Sequence, residues 1–208
     1  MSCKDFIINI SVDDFLNRKK NFFNKNLGKV IIVKNAIKKS KIRKIAKRIM
    51  KTKKHYVKRP IIVEGVKNIC WEGNFIKEKA KQYTTIDKSW YFFPWNEDKT
   101  GIVKATSYLR KRMIELNDYD FNEIEKNTPQ NGTISRLQLI CYPYNRGEIS
   151  THKDPINVNK IIALMYISEY KTDYDKGGFY IISNKKKYVV DHHVESGDLL
   201  IFSPYIAH

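Results

Sequence analysis

The chain has 208 residues, with 39 Lys or Arg against 22 Asp or Glu, and a formal net charge of +17 at pH 7. This length suits a single domain with one sizeable core. No apolar run is long enough to span a bilayer, and the first residues lack the apolar segment of a signal peptide. The cysteines Cys3, Cys70 and Cys141 are too scattered for a disulfide framework or a zinc site. We therefore expect a soluble, cytoplasmic protein that is neither a membrane protein nor a disulfide-rich secreted one.

The first predicted elements are a short strand at Val30–Val33 and an amphipathic helix within the basic segment 34–59. The apolar residues of the helix recur at helical spacing: Ile42, Ile45, Ala46, Ile49 and Met50. Asn35 or Ser40 is a candidate N-cap, and basic residues fill the remaining faces. The favoured interpretation is a helix that packs on the core with a solvated basic face. A patch that binds nucleic acid or another polyanion is the alternative.

The middle of the chain contains a second helical pattern at 102–116 and an aromatic cluster at 90–95. Aromatic side chains bury a large area, so packing against the core is the favoured role of the cluster. Lining of a substrate pocket by Trp90 or Trp95 is the alternative. The polar segment 117–131 predicts a linker.

Short apolar runs separated by turn signals follow in the last third of the chain. They lie at 137–142, 161–167, 179–182, 188–190 and 199–202. The turn signals are Gly177-Gly178, a hairpin tip at Lys185–Lys187, and Ser196-Gly197-Asp198. Gly177-Gly178 also predicts a bulge or a close approach of the backbone to another group. Strands at this spacing are typical of a sandwich or barrel of the jelly-roll kind.

A candidate metal site lies between these strands. His152 and Asp154 are two residues apart, so on a strand or strand edge both side chains point to the same face. His208 supplies a third ligand type from a distant segment. Two histidines and one carboxylate form the facial triad that holds Fe(II) and leaves the opposite positions open. The alternative for His152 and Asp154 is a solvated turn before Pro155.

These features together resemble the Fe(II)- and 2-oxoglutarate-dependent oxygenase superfamily, in its prolyl-hydroxylase-like branch. The resemblance covers about Arg136 to His208, including "LMYI" at 164–167 and "GDLLIF" at 197–202. It implies an α+β fold with a mainly β core, a double-stranded β-helix (jelly-roll, cupin-like) braced by N-terminal helices. Within a single domain of 1–208, residues 1–133 would form the support region and 134–208 the catalytic core.

The resemblance also implies the site chemistry. His152, Asp154 and His208 would bind Fe(II), with 2-oxoglutarate and O2 as cosubstrates and decarboxylation to succinate. Because Asp154 supplies the carboxylate that halogenating relatives lack, hydroxylation is favoured. Tyr142 would hold the far carboxylate of 2-oxoglutarate, although a core aromatic is equally compatible. The branch places a basic partner beyond the distal histidine, so we expect the final strand to be missing from these residues. Arg136 and Lys160 are the nearest internal candidates for that partner.

The remaining histidines carry weaker signals. His192 and His193 are adjacent and would face opposite sides of a strand, so loop or surface roles are favoured over metal binding. His55 lies in the basic run with no ligand-like spacing.

The substrate is predicted from charge. Residues 134–208 contain nine Lys or Arg and eight Asp or Glu, so a nearly neutral core favours a small molecule or a peptide side chain over nucleic acid. Two alternatives remain: a nucleic-acid oxidative demethylase, and a non-catalytic jelly-roll module that binds partners through its basic N-terminal helix. Fold alone does not choose among them.

Overall fold

Helices and several β-sheets make up this protein, seen in a computed structural model. The structure describes residues 6–52, 56–57, 64–73, 85–128, 133–145, 147–154, 159–183 and 185–208. About 26% of the described residues are in strands, which fits the predicted α+β, mainly β class. The chain divides into two compact units, each made of several segments. The first unit comprises 1–44, 106–118 and 153–208, and the second comprises 45–105 and 119–152.

The first unit contains a four-stranded sheet, in the order β1-β2-β11-β8. Its strands are β1 (Ile7–Ile10), β2 (Val30–Val33), β8 (Ile162–Met165) and β11 (Leu199–Phe202). β1 and β2 are parallel, and β11 is antiparallel to both of its neighbours. All residues of β2 and β11 are buried, because continuous apolar runs suit central strands covered on both faces. The strand predicted at 161–167 is shorter and only partly buried.

A hairpin forms a second layer in the same unit. β9 (Tyr180–Ser183) and β10 (Lys186–Val189) pair in antiparallel fashion, and Ala207 forms a bridge with Ile182 of β9. One hydrophobic cluster joins the hairpin to the sheet: Phe6, Val30, Ile32, Ile181, Val190, Val194, Leu200 and Phe202. The predicted hairpin tip was too long, since Lys186 and Lys187 already belong to β10.

Two short helices follow β1. In α1 (Val12–Asn17) the hydroxyl of Ser11 caps the first turn by accepting a hydrogen bond from the amide of Asp14, at 3.0 Å. Phe15 of α1 and Phe23 of α2 (Lys20–Lys25) are both buried and meet edge to face, with ring centroids 6.1 Å apart.

The two longer helices are α3 (Lys39–Lys51) and α4 (Ile102–Leu116). α4 has the predicted bounds, with Leu109 and Leu116 buried. In α3 the predicted stripe of Ile42, Ile45, Ala46 and Ile49 is buried, but the prediction for Met50 was wrong, because its side chain is 47% exposed. The capping prediction was also wrong, since α3 begins at Lys39 and so places Ser40 inside the helix and Asn35 well before it.

The second unit contains a sheet in the order β3-β4-β5-β6. Its strands are β3 (Tyr56–Val57), β4 (Ile69–Gly73), β5 (Thr85–Phe92) and β6 (Leu137–Cys141), and the two-residue β7 (Glu148–Ile149) pairs with the start of β5. The short α5 (Phe121–Ile124) lies in the segment predicted as a linker and is capped by Asp120. In the aromatic cluster Trp90, Tyr91, Phe92 and Phe93 are buried, as the packing role predicts.

No helix among the described residues is both long enough and apolar enough to cross a lipid bilayer.

Candidate metal centre

Three predicted site residues lie together in the structure. His152, Asp154 and His208 each offer one ligand atom, and these atoms all lie within 4.8 Å of one another. Nε2 of His208 is 3.4 Å from Oδ2 of Asp154. The three residues therefore converge, although 54 residues separate Asp154 from His208.

The local backbone places these side chains differently from the prediction. β7 ends at Ile149, and residues 150–154 do not belong to a strand. The alternation of side chains along a strand is therefore not what brings His152 and Asp154 together. His208 follows a turn after β11, and its neighbour Ala207 is bridged to β9. That pairing anchors the backbone next to the distal histidine.

Hydrogen bonds to backbone carbonyls define the tautomers of both histidines. Nδ1 of His152 lies 2.9 Å from the carbonyl oxygen of Ser150, and Nδ1 of His208 lies 2.9 Å from that of Ile206. A carbonyl oxygen only accepts, so Nδ1 carries the proton in each ring. The lone pair of each neutral imidazole is then on Nε2, the atom suited to a metal. This is the usual outer contact that orients a metal-binding histidine.

The surroundings of the group are asymmetric. The side chain of His208 is only 8% exposed, whereas that of Asp154 is 31% exposed. Two aromatic rings pack against the His208 imidazole, with centroid distances of 4.8 Å for Phe202 and 5.6 Å for Phe179. An apolar wall of this kind controls solvent access and the local dielectric constant around a metal. Asp154 remains accessible to solvent.

Behind that wall lies a buried carboxyl group that sequence reasoning missed. Asp191 is 2% exposed and accepts hydrogen bonds from the hydroxyl of Tyr166, at 2.8 Å, and from the amide of Phe179, at 2.9 Å. The hydrogen bond from the amide of Phe179 lets Asp191 hold the backbone of that residue, whose ring touches His208. Burial raises the pKa of the Tyr174 phenol, and the negative charge of the Asp191 carboxyl raises it further.

The glycine pair gave a partial signal of this arrangement. Gly178 has φ of +102°, and a Cβ there would overlap the carboxyl group of Asp191. The predicted close approach at Gly177-Gly178 is confirmed, and Asp191 is the group that it approaches. The sequence alone did not indicate which residue this would be.

The residues predicted to bind 2-oxoglutarate are not part of the group of three. Tyr142 lies one residue after β6 and is 44% exposed, and its role stays a prediction. The guanidinium of Arg136 lies 4.7 Å from the ring centroid of Tyr91. The ammonium of Lys160 pairs with the carboxylate of Asp118. Each of these two basic residues therefore has a structural partner of its own.

The other described histidines and cysteines are not members of the group. His192 and His193 belong to a 3-10 turn at Asp191–His193, and the exposed ring of His192 meets that of Tyr170 at 4.5 Å, edge to face. Cys70 and Cys141 form no disulfide among the described residues. Predictions for His55 and Cys3 fall outside the described residues.

The donor set fits a divalent transition metal. Ligand atoms at about 2.1 Å from one ion lie roughly 3–4 Å apart, so small side-chain movements would bring this group into coordination distance. Two neutral imidazoles and one carboxylate are the ligands of non-haem Fe(II) oxygenase sites. No family model, curated protein or solved structure matches this chain.

Proposed function

We propose that this protein is a non-haem Fe(II)- and 2-oxoglutarate-dependent dioxygenase that hydroxylates a small molecule or a peptide side chain. The observation that carries the proposal is the convergence of His152, Asp154 and His208 within 4.8 Å. Three ligands of this type leave the remaining positions of an octahedral ion for cosubstrate and O2.

The proposal assigns a task to each residue of the group. The two histidines would bind Fe(II) through Nε2, since the carbonyls of Ser150 and Ile206 hold the proton on Nδ1. Asp154 would supply the anionic ligand, and its charge would offset part of the charge of the ion. Phe179 and Phe202 would hold the His208 ring in place and keep water from that side. When bound, Fe(II) with 2-oxoglutarate and O2 would supply the oxidation of an unactivated C–H bond, with release of succinate and CO2.

The architecture of the first unit supports a double-stranded β-helix as the finer description of the fold. The antiparallel pair β8–β11 lies in one layer and the hairpin β9–β10 in another, and both contribute to one hydrophobic cluster. The bridge from Ala207 to β9 continues the second layer toward His208. Two facing sheets of this kind are the elements of a jelly roll.

The remaining assignments are part of the same proposal. Tyr142 would hold the far carboxylate of 2-oxoglutarate through its phenol, and the N-terminal helices would brace the β core. The near balance of charge in residues 134–208 favours a neutral or mixed substrate over a polyanion at the metal centre.

An anaerobic titration tests this function. Fe(II) and 2-oxoglutarate are added to the purified protein, and the weak visible charge-transfer band of the chelate is followed. We expect the band in the unmodified protein and in Asp175→Ala, which removes an exposed carboxylate elsewhere in the chain. We expect no band in Asp154→Ala, because the anionic ligand is lost. We also expect no band in His152→Ala, because a metal ligand is lost. The matched histidine control, His192→Ala, should keep the band.

Two results would contradict the proposal. The first is a folded protein that gives no band at saturating Fe(II) and 2-oxoglutarate. The second is a band that persists in both Asp154→Ala and His152→Ala, since the metal would then be held by other residues. Formation of succinate from 2-oxoglutarate in air, lost in the same two variants, would connect the band to turnover.

A further inference from the structure

The exposed face of α3 carries a row of positive charge that the proposed oxygenase chemistry does not use. The helix contains seven basic residues and no acidic one. Six of the seven are exposed, and five of these six have no ion pair among the described residues: Lys41, Lys44, Lys47, Arg48 and Lys51. These five side chains are called the basic row below. The other two, Lys39 and Arg43, form ion pairs with Glu169, and Arg43 also pairs with Asp173.

The geometry of the helix gathers the basic row on one side. At 100° per residue, its five positions fall within an arc of about 120°, opposite the arc of the buried Ile42, Ile45, Ala46 and Ile49. From Lys41 to Lys51 the row is about 15 Å long, at 1.5 Å per residue. Among the described residues no ion pair is found for any member of the row.

Folding of the helix does not require this pattern. Burial of the apolar stripe needs only polar residues on the outer face, and a mixture of Glu and Lys would stabilise it better. Like charges three or four residues apart destabilise a helix, and the row contains several such pairs, including Lys44 with Arg48 and Lys47 with Lys51. A bound polyanion would remove that repulsion.

We propose that the basic row of α3 binds the phosphate backbone of nucleic acid without sequence preference. Along one strand of a duplex, phosphates are spaced about 3.4 Å along the axis, so the row matches about four of them. A regular row of positive charge suits phosphate contacts, which position a nucleic acid without reading its bases.

The surface fits other partners less well. A helix that binds a membrane surface inserts its apolar face between lipids, but the apolar stripe of α3 is buried within the protein. Interfaces between proteins are depleted in lysine and enriched in aromatic residues, whereas four of the five residues in the row are lysines. The inference does not depend on the proposed oxygenase function, because no ligand of the metal centre lies on α3.

Charge reversal with a matched control tests the proposal. The test variant carries Lys44→Glu, Lys47→Glu and Lys51→Glu, and the control carries Lys176→Glu, Lys185→Glu and Lys186→Glu at exposed positions elsewhere. Both variants have the same net charge. Binding to a short fluorescent duplex DNA of arbitrary sequence is followed by anisotropy over about 50 to 200 mM salt.

For the unmodified protein we expect a slope of log K against log salt of about −4, from about four phosphate contacts. The test variant should lose at least about tenfold in affinity and flatten the slope to about −2. The control should change affinity by less than about twofold. Anionic phosphatidylserine vesicles should bind more weakly than DNA at equal salt.

Three results would overturn the proposal: equal weakening in both triple variants, no measurable binding of DNA, or tighter binding to the vesicles. If the Glu variant is not folded by circular dichroism, Lys44→Gln, Lys47→Gln and Lys51→Gln replace it, with the same expected loss of slope. Unchanged Fe(II) binding in the α3 variant would separate this surface from the metal centre.

Discussion

At the scale of single residues, the candidate centre depends on contacts that orient its ligands. The carbonyls of Ser150 and Ile206 set the histidine tautomers. Asp191 holds the backbone of Phe179, whose ring lies against His208. A ligand atom misplaced by a few tenths of an ångström weakens a metal site, so these outer contacts matter as much as the ligands themselves.

The two neighbouring glycines offer a sharp test at this scale. Both have positive φ, +83° for Gly177 and +102° for Gly178. Gly177→Ala meets no atom within 4 Å, so we expect only the backbone strain of about 1 kcal/mol in the free energy of unfolding. Gly178→Ala adds overlap with the Asp191 carboxyl, so we expect at least about 2 kcal/mol beyond that. Urea denaturation measures both, and equal values would contradict the packing of Asp191 described here.

At the scale of elements, α3 has two faces of opposite character. Its apolar stripe is buried at 0–4% exposure, and this burial stabilises the fold. Its opposite face carries the basic row, whose five residues are exposed. Tertiary burial, rather than helix propensity, supplies most of the stability of such a helix.

Substitutions on the two faces of α3 should therefore differ in their cost. Ile49→Ala removes a side chain that is 0% exposed and leaves a cavity, for which we expect a loss of about 2–4 kcal/mol in the free energy of unfolding. Met50→Ala removes a neighbour that is 47% exposed, for which we expect a change within about 0.5 kcal/mol. Chemical denaturation of both variants measures the difference. A larger loss for Met50→Ala would mean that the helix is rotated from the orientation described.

At the scale of the whole molecule, the net charge of +17 opposes the compact state through self-repulsion. Salt screens this repulsion, since the Debye length falls from about 10 Å at 0.1 M to about 3 Å at 1 M. The charge is concentrated in the N-terminal half, whereas residues 134–208 are nearly balanced.

Stability should consequently rise with salt. Between low salt and about 0.5 M NaCl we expect Tm to increase by roughly 2–4 °C, equivalent to about 1 kcal/mol for a chain of this size. In the α3 Glu variant, three substitutions of two charge units each lower the net charge from +17 to +11, so the increase should be smaller. Thermal melts by circular dichroism measure both. A Tm that falls with salt would indicate that favourable ion pairs outweigh the repulsion.

Much of the fold could be predicted from local pattern. Continuous apolar runs indicated β2 and β11, and helical spacing indicated the buried stripe of α3 and the bounds of α4, because these signals depend on which faces must leave water. Short polar elements gave no such signal. α5 lies in a segment that was predicted to be a linker. The hairpin tip was predicted to span Lys185–Lys187, which is longer than it is, because charged residues at an exposed strand edge show no alternation of polar and apolar side chains.

The sequence by itself determined the ligand types of the candidate centre, since only His152, Asp154 and His208 combined suitable chemistry with a strand-rich context. The tertiary structure decided how they meet. His152 and Asp154 lie outside any strand, and the backbone before His208 is held by the bridge between Ala207 and β9. It also decided that Asp191 lies behind Phe179, and that Arg136 and Lys160 have partners elsewhere. These are contacts between distant segments, and local periodicity carries no information about which distant segments will touch.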